Sequence, residues 1–221
     1  MITLTSAPVA PLLNRLFDES ENTRVPAIAA FGALPAEDRV RIMSSKTGYR
    51  DIYADLKDAA IPVSRETGLL LYMLARNAKA NVIVEFGTSF GISTLHLAAA
   101  LRDNGGGLLV TTEFEPSKVQ RARENLEAGG LLDLVEIREG DALETLRNGL
   151  PEQIDLLLLD GAKGLYFDIL RLVEHRLRPG ALIIADNADY CPEYMSKVRD
   201  AEGDYLSLSL PGDVELSMKR S

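Results

Sequence analysis

The stretch Val82-Ile83-Val84-Glu85-Phe86-Gly87-Thr88-Ser89-Phe90-Gly91-Ile92-Ser93-Thr94, VIVEFGTSFGIST, decides the fold. An apolar run ends at an acid, breaks into a loop with two glycines, and reopens as a helical pattern, so it reads as strand, loop and helix. The glycines let the backbone approach a ligand closely, and the start of the helix supplies unpaired N–H groups. A dinucleotide fold places G-x-G-x-x-G here to seat a pyrophosphate. In this chain Thr88, Ser89 and Phe90 separate Gly87 from Gly91. The bulkier loop, with an acid before it, suits a ligand that carries positive charge and no phosphate.

Working outward from Ile61, apolar strands are predicted at 81–86, 108–113, 134–137, 154–159 and 181–186, with helical patterns between them and a helix near Glu66 to Asn77. Alternating strand and helix implies a parallel sheet, and the continuous runs at 155–159 and 181–185 suit strands buried on both faces. Tyr205 to Leu210 and Val214 to Lys219 are separated only by Pro211-Gly212-Asp213, which allows a hairpin and no crossover helix. The expectation is an α/β, Rossmann-like, seven-stranded sheet, mostly parallel, with one antiparallel strand in the C-terminal hairpin. Helical spacing at Pro8 to Phe17, Pro35 to Ser44 and Asp51 to Ala60, broken by Pro26, Gly32, Pro35 and Gly48, predicts an N-terminal helical cap over residues 1–60. Residues 61–221 then form one compact unit.

With 221 residues, 46% of them hydrophobic, the chain can bury a full core. No apolar run reaches the roughly 18 residues of a membrane span. The start, MITLTSAPVAPLLNRL, lacks a basic segment followed by an apolar block and a cleavage site. A cytoplasmic protein with no membrane partner is expected. The single cysteine, Cys191, has no internal partner for a disulfide. A net charge of −9 without a Lys/Arg cluster disfavours nucleic acid and points to a small-molecule substrate.

Ligands of an open α/β sheet collect at the carboxyl ends of the strands. Those ends carry Glu85, Glu113, Gly140-Asp141, Asp160 and Asp186-Asn187. A single acid in such a place often caps a helix or sits in a turn. Together they read as one site. Glu113, after the second strand, is placed to accept hydrogen bonds from a ribose diol, and a ribose joined to a cation suggests S-adenosylmethionine. Asp160, Asp186 and Asn187 fall at the ends of neighbouring strands, roughly 5 Å apart. Three hard oxygen donors without His or Cys fit Mg²⁺ or Ca²⁺, although the bare spacing also fits acidic turns with no metal.

The sequence resembles the cation-dependent class I O-methyltransferases of the catechol and caffeoyl-CoA type. The resemblance runs from about Pro62 to Lys219, through PVSRETG at 62–68, EFGTSFGIST at 85–94, TTEFEPSK at 111–118, EGDALETL at 139–146, DGAKGLY at 160–166, LRPGALIIADN at 177–187 and LPGDVELSMK at 210–219. It implies that Val63 and Ser64 close over the methionine part of S-adenosylmethionine and that Glu85, Gly87, Ser89 and Ser93 line its loop. It implies further that Glu113 holds the ribose, that Asp141 and Ala142 meet the adenine, and that Asp160 touches the cofactor's amino acid. Asp160, Asp186 and Asn187 would bind Mg²⁺ or another divalent cation, and Lys163 would take the hydroxyl proton of a catechol-like or phenolic substrate. A homodimer formed through the N-terminal helices is also implied.

The chain departs from the family at its C-terminus, where Pro211 to Ser221 offers no counterpart to the animal enzyme's extra carboxylate for the second catechol hydroxyl. Met43, Tyr49 and Tyr53 are candidates for a lid, and Tyr190, Cys191 and Pro192 for the border of the acceptor pocket. His96 and His175 have no matched partner and read as structural. Two other readings fit the same sheet: methylation of hydroxylated tRNA uridine, which the charge disfavours, and a non-catalytic adenosylmethionine-binding or oxidoreductase protein.

Overall fold

In the computed structural model, β1 (Val82–Phe86) lies at the centre of a seven-stranded sheet. The structure describes residues 2–220, with positions 51 and 52 described by their backbone alone. The strands β2 (Leu108–Glu113), β3 (Val135–Glu139), β4 (Ile154–Leu159), β5 (Leu177–Asp186), β6 (Tyr205–Leu210) and β7 (Val214–Lys219) take the order β3-β2-β1-β4-β5-β7-β6. The first five pair in parallel, and β7 runs antiparallel to both β5 and β6. This is the expected sheet, and β7 is its antiparallel strand. Strand order reverses between β1 and β4, so a crevice opens above their carboxyl ends.

The expected strands recur within one or two residues, except that β5 begins four residues early, at Leu177. Leu177 pairs with Ile154, and the register shifts before Leu156 meets Leu182. Pro179 cannot donate to a ladder, so the irregularity lets the strand pass through Arg178-Pro179-Gly180. At the far edge, Glu215 is buried and bound by Arg199, Ser207 and Ser209. Its carboxyl is held down at about 2, first by Arg199 and then by the two serines against the cost of burial.

Helices cover both faces of the sheet. On one side lie α5 (Arg65–Asn77), α6 (Ile92–Asn104) and α7 (Pro116–Ala128). On the other lie α8 (Ala142–Thr145), α9 (Tyr166–Val173) and α10 (Pro192–Val198). Every residue of α6 from Ile92 to Leu101 is buried. A helix apolar all round needs neighbours on every side, and α6 has the sheet, α5, α7 and α1 (Val9–Asn22). Val9, Leu12, Leu13, Leu16 and Phe17 of α1 join the same core. Each such side chain contributes about 1.5–3 kcal/mol by leaving water.

The first sixty residues therefore divide in two. Residues up to α1 belong to the core. In contrast α2 (Pro26–Gly32) and α3 (Ala36–Met43) bury no residue fully, and with α4 (Tyr49–Asp55) they arch over the crevice. Among the described residues no helix is long and apolar enough to cross a membrane.

Candidate active site

The loop between β1 and α6 owes its path to three left-handed residues, Gly87 at φ +107°, Ser89 at +48° and Gly91 at +82°. A Cβ on Gly87 would lie 2.6 Å from the Gly161 nitrogen, because the β1 and β4 loops cross there. Ser89 is not glycine and adopts this conformation under constraint. Its N–H donates to Oε2 of Glu113 at 2.8 Å, which ties the loop to the end of β2. Glu113 also accepts from the Glu115 N–H at 2.9 Å. Burial raises its carboxyl above the usual range, although these N–H donors and Lys118 oppose the rise.

Loop and strand ends surround a cavity of about 530 Å³, within the range of small-molecule sites. Gly87, Ser89, Ser93, Glu113, Asp141, Ala142, Asp160, Lys163, Asp186 and Asn187 all line it. Asp141 caps α8 through Leu143 N–H at 2.9 Å. Its other oxygen accepts from Arg50 at 2.5 Å and from the Tyr49 hydroxyl at 3.2 Å. Tyr53 donates to the Gly161 carbonyl at 3.2 Å, and Tyr49, Tyr53 and Met43 face the cavity. Sequence gave no sign of the Arg50 contact, which joins two residues ninety-one positions apart.

Three expected cofactor residues stand elsewhere. Side chains alternate along a strand, so Phe86 faces the cavity while Glu85 points to the opposite side, against the first turn of α6. There it accepts from Ser93 at 2.5 Å and from Thr94 and Thr111 at 2.6 Å each. Glu85 is wholly buried, and burial lifts its carboxyl to about 7 despite the three hydroxyls. Ser64 caps α5 by accepting from Thr67 N–H at 3.0 Å, and Val63 packs in the core. Neither lines the cavity.

At the other end of the cavity Lys163, only 5% exposed, places Nζ 2.7 Å from Oδ1 of Asp160 and 3.7 Å from Oδ2 of Asp186. Burial alone would depress the ammonium, but the carboxylate of Asp160, then Tyr166, Tyr53 and Asp186, hold it well above the ordinary lysine range. Burial and the nearby Asp160 lift the Asp186 carboxyl to about 7. Asn187 turns through φ +52°, a conformation that asparagine tolerates better than most residues. Tyr166 donates to the Asp186 carbonyl at 2.7 Å and so fixes the end of β5. Among the described residues no three His, Cys, Asp or Glu side chains form a metal-binding group. His96 is structural, with Nδ1 2.8 Å from the Ile92 carbonyl and its ring edge-on to Phe17. Cys191 is buried and free.

A family model described as a methyltransferase domain matches residues 84–188. A catechol O-methyltransferase from Niastella koreensis is 37% identical over 131 residues, which cover 58% of each chain. A putative O-methyltransferase from Mycobacteroides abscessus is 30% identical over 160 residues, 70% of this chain and 74% of that one. The chain belongs to the class I O-methyltransferases of the catechol and caffeoyl-CoA type. Within this O-methyltransferase family the likeness extends to solved structures. The O-methyltransferase TomG from Streptomyces achromogenes, crystallised in complex with S-adenosylmethionine, superposes with a TM-score of 0.65 at 25% identity, covering 92% of this chain and 99% of that one. The match to the Niastella O-methyltransferase spans a little over half of that relative's length.

Proposed function

We propose that this chain moves the methyl group of S-adenosylmethionine to a hydroxyl of a small catechol-like or phenolic substrate, with help from a divalent cation. The observation that carries the reading is that one cavity gathers Ser89, Glu113 and Asp141 at one end and Asp160, Lys163, Asp186 and Asn187 at the other. The cofactor would lie along Gly87, Ser89 and Ser93, with its ribose on Glu113 and its adenine beside Asp141 and Ala142. Glu85, Val63 and Ser64 would support that loop from behind.

The chemistry of the donor set fits a hard cation: two carboxylates and an amide oxygen, with no thiolate or imidazole. The elevated Asp186 carboxyl fits as well: burial raises it first and the nearby Asp160 second, with Lys163 opposing both. Asp160, Asp186 and Asn187 would hold Mg²⁺ or a similar ion. When bound, such an ion acidifies a coordinated hydroxyl and orients neighbouring oxygens.

Lys163 is the proton acceptor in this reading. Its pairing with Asp160 keeps it an ammonium, whereas complete burial favours the neutral amine once the carboxylates are otherwise engaged. The substrate oxygen forms a bond to the methyl carbon as the carbon–sulfur bond breaks, and the sulfonium leaves as a neutral thioether. Tyr53, Phe86 and the turn at Gly161 close around this end and keep water away. The homodimer that the family resemblance implies is part of this reading.

The test is calorimetric titration with S-adenosylhomocysteine, followed by methyl transfer to catechol with Mg²⁺ or with EDTA. Saturable binding and transfer that EDTA abolishes are expected. Saturable NAD(H) binding without adenosylhomocysteine binding would overturn the proposal.

A further inference from the structure

The acceptor end of the cavity continues beneath α2 and α3, and its wall there differs from the strand-end wall. Phe31, Leu34, Ile42, Met43 and Leu56 face the cavity. Asp55 is the one charged side chain that residues 27–62 bring to the lining among the described residues. The segment after α3 is seated directly on the acceptor end, since a Cβ on Gly164, next to Lys163, would lie 2.6 Å from the Ser44 carbonyl oxygen. Lys46 anchors it further, 2.5 Å from Glu193 and 3.0 Å from Asp168. The apolar wall is thus an extension of the site that holds Lys163 and Asp160.

Charge on the lining is unevenly shared. Among the described residues, carboxylates stand at Asp55, Glu113, Asp141, Asp160 and Asp186, against ammonium groups at Lys118 and Lys163 alone. Lys163 is committed to Asp160, and Lys118 is buried over the Phe90 ring with Glu113 as its nearest influence. Arg50 and Lys46, close to the rim, are already paired with acids. Away from a cation held by Asp160, Asp186 and Asn187, a substituent carboxylate or phosphate lying along the α2 and α3 wall would lose water and meet no Lys or Arg of that wall among the described residues. An alkyl or aryl substituent would instead leave water for Phe31, Ile42 and Met43, which is favourable in proportion to its area.

We infer that the acceptor carries an uncharged apolar substituent that lies under α2 and α3, and that this wall, which includes Phe31, selects against anionic acceptors such as acids and coenzyme A thioesters. The inference rests on the methyltransferase reading above. It is tested by calorimetry on the protein loaded with S-adenosylhomocysteine and Mg²⁺, titrated with 4-alkylcatechols from methyl to hexyl. Kd should fall roughly three- to four-fold per methylene until the wall is filled. 3-(3,4-Dihydroxyphenyl)propanoate should bind at least tenfold more weakly than its methyl ester, whose ring chemistry is the same. Phe31→Lys, on a helix that buries no residue fully, should narrow that acid-to-ester gap and flatten the length series. A flat series in the unmodified protein, or an acid that binds as tightly as its ester, would overturn the inference. Graded binding without any methyl transfer would overturn the functional reading and leave the pocket's preference standing.

Discussion

Lys163 sets its ammonium 2.7 Å from Asp160 and 3.7 Å from Asp186, so a single buried cation serves two carboxylates at neighbouring strand ends. Replacing it with methionine keeps the length of the side chain and removes both the charge and the proton acceptor. Methyl transfer should fall by roughly 10²–10⁴-fold, the usual worth of a positioned base. The same change leaves Asp160 and Asp186 uncompensated, so Mg²⁺ should raise the melting temperature of Lys163→Met more than that of the unmodified protein. Transfer within threefold of the original rate would remove Lys163 from the chemistry.

Asp186 gives a contrasting outcome. Its carboxyl is raised to about 7, first by burial and then by Asp160. A carboxyl with a raised folded-state pKa lowers stability as pH climbs from its unfolded value through the folded one. Asp186→Asn should therefore melt higher than the original protein at pH 8 without added metal, while methyl transfer drops at least a hundredfold. Thermal scans and initial rates at that pH decide the matter. Undiminished activity would show that this carboxylate holds no cation needed for turnover.

Glu85 follows the same sign, since it is wholly buried and its carboxyl rises to about 7. Protonated Glu85 stabilises the fold below about pH 4.5, and that contribution is lost as pH rises to about 7. A shift of this size corresponds to about 3 kcal/mol as an upper figure. Ser93, Thr94 and Thr111 are hydroxyls and can accept as well as donate, so a glutamine is accommodated. Glu85→Gln should flatten the stability profile between pH 5 and 8 and change the Kd for S-adenosylhomocysteine less than threefold. A tenfold loss of affinity at unchanged stability would instead put Glu85 in contact with the cofactor.

The contrast between Glu85 and Glu113 shows how far sequence reaches. Strand patterns placed both acids near the crevice, because a buried parallel strand is legible as a run of Val, Ile and Leu ended by a turn. Glu85 pairs with Thr111, two residues before Glu113, so the two acids have the same face parity and differ in how far along the sheet they stand. Glu85 is still inside the sheet and points to α6, whereas Glu113 stands one residue beyond the Phe86–Thr112 pair, at the end of β2, and there reaches the cavity. Runs of letters locate a strand end less finely than that. The family motifs brought Asp160, Lys163, Asp186 and Asn187 together for a simpler reason: each lies at the carboxyl end of β4 or β5 or within four residues after it. Arg50 on Asp141 and Ser44 on Gly164 were illegible, because they join separate elements through long-range packing that no local pattern encodes.

Gly87 and Gly105 share nearly the same φ, +107° and +106°, and differ in what surrounds them. A Cβ on Gly105, at the end of α6, meets nothing within 4 Å. On Gly87 it would lie 2.6 Å from the Gly161 nitrogen and 2.7 Å from the carbonyl carbon and oxygen of Asp160. Those are backbone atoms and cannot swing aside. Alanine at either position incurs the strain of a left-handed residue, about 1–3 kcal/mol. Gly105→Ala should show that loss alone, with cofactor affinity unchanged. Gly87→Ala must also push the β4 loop outward, which displaces Asp160 and Lys163 together. Its Kd for S-adenosylhomocysteine should weaken at least tenfold, beyond whatever chemical denaturation shows the two variants to share. Equal affinities in the two variants would mean that the crossing of these loops does not shape the site.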